Sequence, residues 1–148
     1  MKFRVHQIDH VELTVPDRHT AAQWYQHVLG LQAVADFEHW ANDPDGPLMI
    51  STEGGGTKLA LFSGDPVGSQ RGTGFHLVAF RVGATQFMNF LDQLPELQLR
   101  DRHDQVLTRH SVKDHGLAFS IYFCDPWKHQ LELTTYEYDE TVSALKKR

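Results

Sequence analysis

The feature that most constrains this chain is an internal repeat. His10-Val11-Glu12-Leu13-Thr14-Val15 matches His76-Leu77-Val78-Ala79-Phe80-Arg81 at an offset of 66 residues. Each stretch leads into a segment of helical spacing. Further on, Leu59-Ala60-Leu61 matches Leu131-Glu132-Leu133. A repeat of this period means that one supersecondary unit is built twice. In 8–15 the residues alternate, with Val11, Leu13 and Val15 on one side, which predicts a strand with one apolar face. Pro16-Asp17 ends it, and Asp17 is a good helix N-cap. Ala21, Trp24, Tyr25, Val28 and Leu29 then follow at helical spacing until Gly30. Strands are predicted over 31–37, 48–52 and 58–62, separated by the loop 42–47 and the turn Gly54-Gly55-Gly56.

Residues 63–74, rich in Gly, Ser and Pro, read as a linker. The order then recurs. A strand is predicted over 75–82 and a helix over 84–94 closed by Pro95. Weaker, charge-rich strand candidates span 97–106 and 108–112. A clear strand covers 117–124, Asp125-Pro126-Trp127-Lys128 is a turn, and 130–135 is the last strand. A short helix is expected after Tyr136. The fold class is therefore α+β. Two β-α-β-β-β modules, about 6–62 and about 75–136 of a single domain over 1–148, are expected to form one curved mixed sheet with helices on its outer face.

Composition narrows the function. The chain has 148 residues, 14 Lys plus Arg against 19 Asp plus Glu, and a net charge of −5. No basic block exists beyond Lys146, Lys147 and Arg148, which argues against nucleic acid as the partner. No apolar run reaches the roughly 20 residues of a membrane helix. Residues 1–6 lack the apolar stretch of a signal peptide. The single cysteine, Cys124, excludes an internal disulfide and a Cys-based zinc site. A cytoplasmic protein is expected, with a small molecule as partner and neither nucleic acid nor membrane.

Histidine is the unusual count, at 10. Five of these (His19, His27, His39, His103, His129) read as ordinary surface or core residues. His10 and His76 differ because the repeat places them at one position in the two modules. By alternation they share the concave side with Glu132, away from the apolar face. Two imidazoles and a carboxylate are a metal-ligand set that leaves positions open for substrate or water.

Beyond these residues the chain resembles the vicinal oxygen chelate superfamily, which includes glyoxalase I, fosfomycin-resistance enzymes, bleomycin-resistance proteins and extradiol dioxygenases. The likeness runs from Ile8-Asp9-His10-Val11, through Trp24-Tyr25-Gln26-His27-Val28-Leu29-Gly30-Leu31, to the stretch from Asp125-Pro126 to Leu131-Glu132. It implies His10, His76 and Glu132 as metal ligands. Where glyoxalase I has a fourth ligand, a Glu, this chain has Ala60. The order His115, Tyr122, Asp125-Pro126, Glu132 resembles the extradiol signature. That implies Fe(II), a catechol-type substrate chelating through vicinal oxygens, and His115 and Tyr122 as hydrogen-bonding catalytic groups. Phe62, Phe80 and Trp127 are candidates for an aromatic substrate wall. The acid/base His that many extradiol enzymes carry before the second ligand has no counterpart in 59–63. The alternatives are a glyoxalase-like lyase or isomerase, or a fosfomycin-type transferase, using Mn(II), Ni(II) or Zn(II). A metal-free bleomycin-type binding protein is the third. The resemblance also implies a homodimer.

Overall fold

The computed structural model describes residues 7–66 and 77–147. The chain divides into two compact units, Met1–Gln70 and Arg71–Arg148, which match the two modules of the repeat. Each carries a four-stranded mixed sheet, so the α+β class with paired β-α-β-β-β modules is observed.

In the first unit β1 (His10–Val15) leads into α1 (Arg18–Leu29). Asp17 caps α1, its carboxylate accepting from the Thr20 amide at 2.7 Å. Gly30 ends the helix at φ 70°, a left-handed conformation for which glycine carries no Cβ penalty. The sheet order is β1-β4-β3-β2, with β2 at Gln32–Ala33, β3 at Leu48–Ser51 and β4 at Lys58–Ser63. β1 and β4 run parallel, with Glu12 opposite Ala60 and Leu13 opposite Leu61. Leu13, Val15, Leu59 and Leu61 are fully buried, as are Ala21 and Tyr25 of α1, which packs on β3 and β4.

The strand expected over 31–37 is two residues long. After Val34 the chain coils into a 3-10 turn (Ala35–Phe37) and the short helix α2 (Glu38–Ala41). Phe37 and Trp40 stack at 4.5 Å, an i,i+3 contact that coiling allows and an extended strand does not. The buried Arg18 guanidinium holds the following loop, donating to the carbonyls of Ala41, Asp43 and Gly46.

The second unit repeats the scheme in the order β5-β8-β7-β6. β5 spans Val78–Arg81, β6 Lys113–Asp114, β7 Phe119–Cys124 and β8 Gln130–Thr135. α3 (Ala84–Leu97) packs on β8, and α4 (Tyr138–Lys146), the expected C-terminal helix, packs on α3. Pro95 does not close α3. It sits in the last turn, where one backbone donor is lost, and the helix runs to Leu97 before Gln98 ends it at φ 51°. The N-cap of α3 is Gly83, which has no capping side chain. Glu137 supplies the acceptor instead, its Oε2 taking the Ala84 amide at 2.7 Å.

The strand candidates at 97–106 and 108–112 are not strands. Arg100 makes only isolated bridges, to Val106 and Cys124. The Asp101 carboxylate takes the amides of His103 and Gln105, and Thr108 and Ser111 cap a 3-10 turn (Arg109–Ser111) reciprocally. Side chains that bond the nearby backbone compete with sheet pairing, and here they win.

Register also revises the repeat. Glu12 pairs with Ala60 and Ala79 pairs with Glu132, so residues 12 and 79 are equivalent, an offset of 67 rather than 66. Burial agrees, since Phe80, like Leu13, lies on the apolar side. Counted this way, the equivalent of His10 is position 77.

Candidate functional site

Each unit has a polar face of its own. In the first unit it begins with His10 and its neighbours. His10 Nδ1 lies 2.9 Å from Asp9 Oδ2, and Asp9 Oδ1 is 3.0 Å from Lys58 Nζ. The His10 ring, and then Lys58, hold the Asp9 carboxyl below its ordinary range. A carboxylate at Nδ1 selects the tautomer in which Nε2 carries the lone pair, the arrangement typical of metal-binding imidazoles. On the same face of β1, Glu12 Oε1 lies 3.7 Å from His10 Nε2. Ala60 sits across from Glu12, and Phe62 two residues along β4 from Ala60. Sequence reasoning passed over Asp9 and Glu12, although both flank the candidate ligand and Glu12 shares its strand face.

In the second unit the residues gather around Glu132. Register sets Glu132 of β8 directly opposite Tyr122 of β7, with Ala79 on its other side. His115, in the turn after β6, reaches back so that its Nε2 lies 3.0 Å from the Tyr122 hydroxyl. Burial, and then the Glu132 carboxylate, push the Tyr122 phenol above its ordinary pKa. The phenol is therefore protonated at neutral pH and keeps a proton to share. His115, Tyr122 and Glu132 thus form one cluster.

Tyr122 also lines a cavity of 420 Å³, together with Leu77, Cys124, Gln130, Lys113 and Arg102. This volume suits a small organic molecule. Of the proposed aromatic wall, Phe80 pairs with Leu133 and is 8% exposed, so it belongs to the core on the face opposite Glu132. Trp127 sits half-buried in the turn before β8, where its amide donates to Asp125, and does not line the cavity. That turn holds a buried pair that the sequence did not signal. His129 Nδ1 meets Asp125 Oδ2 at 2.6 Å, while Asp125 Oδ1 takes the amides of Trp127 and His129.

His76, the remaining predicted ligand, lies outside the described residues. Among the described residues no three His, Cys, Asp or Glu side chains form a metal cradle, and no helix is long and apolar enough to cross a membrane. The donor chemistry of His10 nevertheless fits a divalent ion. Among the described residues its Nε2 has no hydrogen bond, and its Nδ1 is held by a carboxylate.

Similar structures share this architecture. A fosfomycin resistance protein, FosX, from Listeria monocytogenes is 16% identical, with a TM-score of 0.61 over 93% of this chain and 99% of that one. The same protein in complex with Mn(II) and sulfate gives a TM-score of 0.61 at 16% identity, over 96% of this chain and 99% of that one. Oxidase ChaP-H2 is 20% identical, with a TM-score of 0.63 over 93% of this chain and 99% of that one. At these identities the likeness establishes the fold. No curated protein sequence matches the chain. A family model does, over residues 7–133. With its two β-α-β-β-β units and a match over most of its length, the chain belongs to the Glyoxalase/Bleomycin resistance protein/Dioxygenase superfamily.

Proposed function

We propose that this protein is a metal-dependent enzyme acting on a small molecule that chelates through vicinal oxygens, and that its reaction is ring cleavage of a catechol-type substrate with Fe(II). One observation carries the reading. A protonated tyrosine, hydrogen-bonded to a histidine and set opposite a carboxylate in the sheet register, lines a cavity of substrate size. Such a phenol stabilises negative charge developing on a substrate oxygen. His115 orients the hydroxyl, and together they supply or accept a proton at that atom.

The ligand set proposed for the metal is Glu132 with His10 and His76. When bound, a divalent ion lowers the pKa of a chelated hydroxyl and holds the reactants in place. Three protein ligands would leave three positions of a six-coordinate Fe(II) open, two for the chelating substrate and one for dioxygen. Phe62, half-buried on the Ala60 face of β4, and Trp127, half-buried in the turn before β8, are retained as proposed substrate contacts. A homodimer belongs to the same proposal.

A second reading is a lyase, isomerase or transferase using Mn(II), Ni(II) or Zn(II). It is favoured by Glu12, a further carboxylate beside His10 Nε2. The two readings separate by purifying the protein anaerobically, measuring its metal content, and assaying a catechol panel for yellow ring-cleavage products. Iron with product formation supports the first reading. Another metal without ring cleavage supports the second. A stoichiometrically metal-free protein overturns both.

A further inference from the structure

The pair formed by His10 and Glu12 is not accounted for by hydrogen bonding. With Nδ1–H directed at Asp9, the Nε2 lone pair of His10 faces the Glu12 carboxylate oxygen at 3.7 Å. A cation shared between two electron-rich atoms so arranged would relieve their repulsion. A proton is one candidate, but a charge-assisted N–H···O bond closes to about 2.7–2.9 Å. A metal is the other. Ligand bonds of about 2.0–2.2 Å place two donors of one tetrahedral ion roughly 3.4 Å apart. The observed separation lies nearer that value.

Register adds a second, independent observation. Glu12 stands directly across from Ala60 on the same face of the sheet. Directly opposed residues have Cβ atoms about 4.5–5.5 Å apart, within the reach of a glutamate side chain. A carboxylate launched from β1 at position 12 therefore covers the space that one launched from β4 at position 60 would fill.

We propose that Glu12 is a metal-ligating residue, binding a divalent cation together with His10 Nε2 and supplying from β1 the carboxylate that β4 lacks at Ala60. The proposal rests on the reading of His10 as a metal ligand. It adds a fourth, anionic donor and would leave two of six positions exchangeable, which suits the second reading above, Lewis-acid chemistry, rather than ring cleavage with a chelated substrate and dioxygen.

The test uses the full chain, stripped with chelator and titrated with Co(II), whose d–d absorption reports its coordination. Calorimetry gives the affinity, and thermal unfolding in chelator checks the fold of each variant. Glu12→Gln is expected to weaken Co(II) binding at least about tenfold and to change the d–d spectrum. His10→Ala is expected to do the same. The double variant Glu12→Gln with Ala60→Glu is expected to regain affinity, because it returns a carboxylate to the neighbouring strand. If Glu12→Gln binds with the parent's affinity and spectrum while His10→Ala does not, Glu12 is an ion-pair partner only and the inference fails alone. A weakened affinity with an unchanged spectrum also overturns it, since the carboxylate then acts only through its field. If His10→Ala binds as the parent does, or the parent takes up no Co(II), the metal reading of His10 fails as well.

Discussion

The two units are built to one plan and finished differently. In the first, α1 is capped by the residue just before it, Asp17, and the strand beside β1 carries Ala60. In the second, α3 begins at a glycine and takes its cap from Glu137, while the strand beside β5 carries Glu132. The first unit has its acidic residue on β1, at Glu12, where the second has Ala79. The cross-strand pair is thus Glu–Ala in one unit and Ala–Glu in the other, with the carboxylate on alternate strands. A repeated backbone preserves the place for a charge where the first and last strands of each unit pair, and either of the two strands can fill it.

The comparison breaks most sharply at the metal. Glu132→Ala and His10→Ala should each abolish tight metal binding while leaving unfolding in chelator largely unchanged, as equilibrium dialysis would show. His76→Ala tests whether a residue one place before the register counterpart of His10 holds the metal. Loss of binding supports His76 as a ligand despite the revised offset. Full metal occupancy removes His76 from the ligand set.

Next in size is Tyr122→Phe, which removes one donor from the second unit's cluster. The expected loss in kcat is about ten- to a thousandfold at unchanged metal content. A rate within twofold of the parent would reduce Tyr122 to a packing residue.

The cores should respond alike. Leu61 and Leu133 sit on their units' central strands, paired with Leu13 and Phe80, and are almost fully buried. Truncation of either to Ala should cost about 3 kcal/mol in denaturant unfolding. A large inequality would show that one unit carries more of the stability.

The smallest effects concern the caps. Glu137→Ala should cost about 1 kcal/mol by leaving the Ala84 amide without its acceptor. Asp17→Ala should also destabilise, with a defined pH dependence. The Thr20 amide, above all, depresses the Asp17 carboxyl below its usual value. Its contribution is therefore present above the ordinary carboxylate pKa and fades as pH falls through the depressed one. The stability difference between parent and Asp17→Ala should shrink in acid, measurable as converging unfolding midpoints.

Much of this architecture was legible because strands and amphipathic helices write their period into the chain. Asp17, Gly30, the alternation of 10–15 and the run 130–135 each announced their elements through local chemistry. The failures share a cause. Segment 35–41 and segment 101–111 contain residues of strand-like composition whose conformation is decided by ring stacking, Asx-type bonds and a distant arginine. Spacing does not encode such contacts. The one-residue error in the repeat has the same origin, because alignment by identity favoured His on His where hydrogen-bond register favours 12 with 79. The order His115, Tyr122, Glu132 was legible only as a resemblance, and the contacts among the three come from the structure. The partnership of Asp9 and Glu12 with His10 was not, since acidic residues beside a strand histidine are ordinary in sequence and become specific only when distances are known.

The cap at Glu137 bears on how the chain is made. A ribosome delivers α1 with Asp17 already in place, so the first helix can close as soon as it emerges. It delivers α3 fifty-three residues ahead of the carboxylate that completes its first turn. Until Glu137 leaves the exit tunnel, the Ala84 amide has only water to bond. The second unit therefore acquires its finished form only after residue 137 has been made, and the Ala84 amide proton is a natural clock for that event. Its exchange with solvent should slow only when α4 has been released and docked.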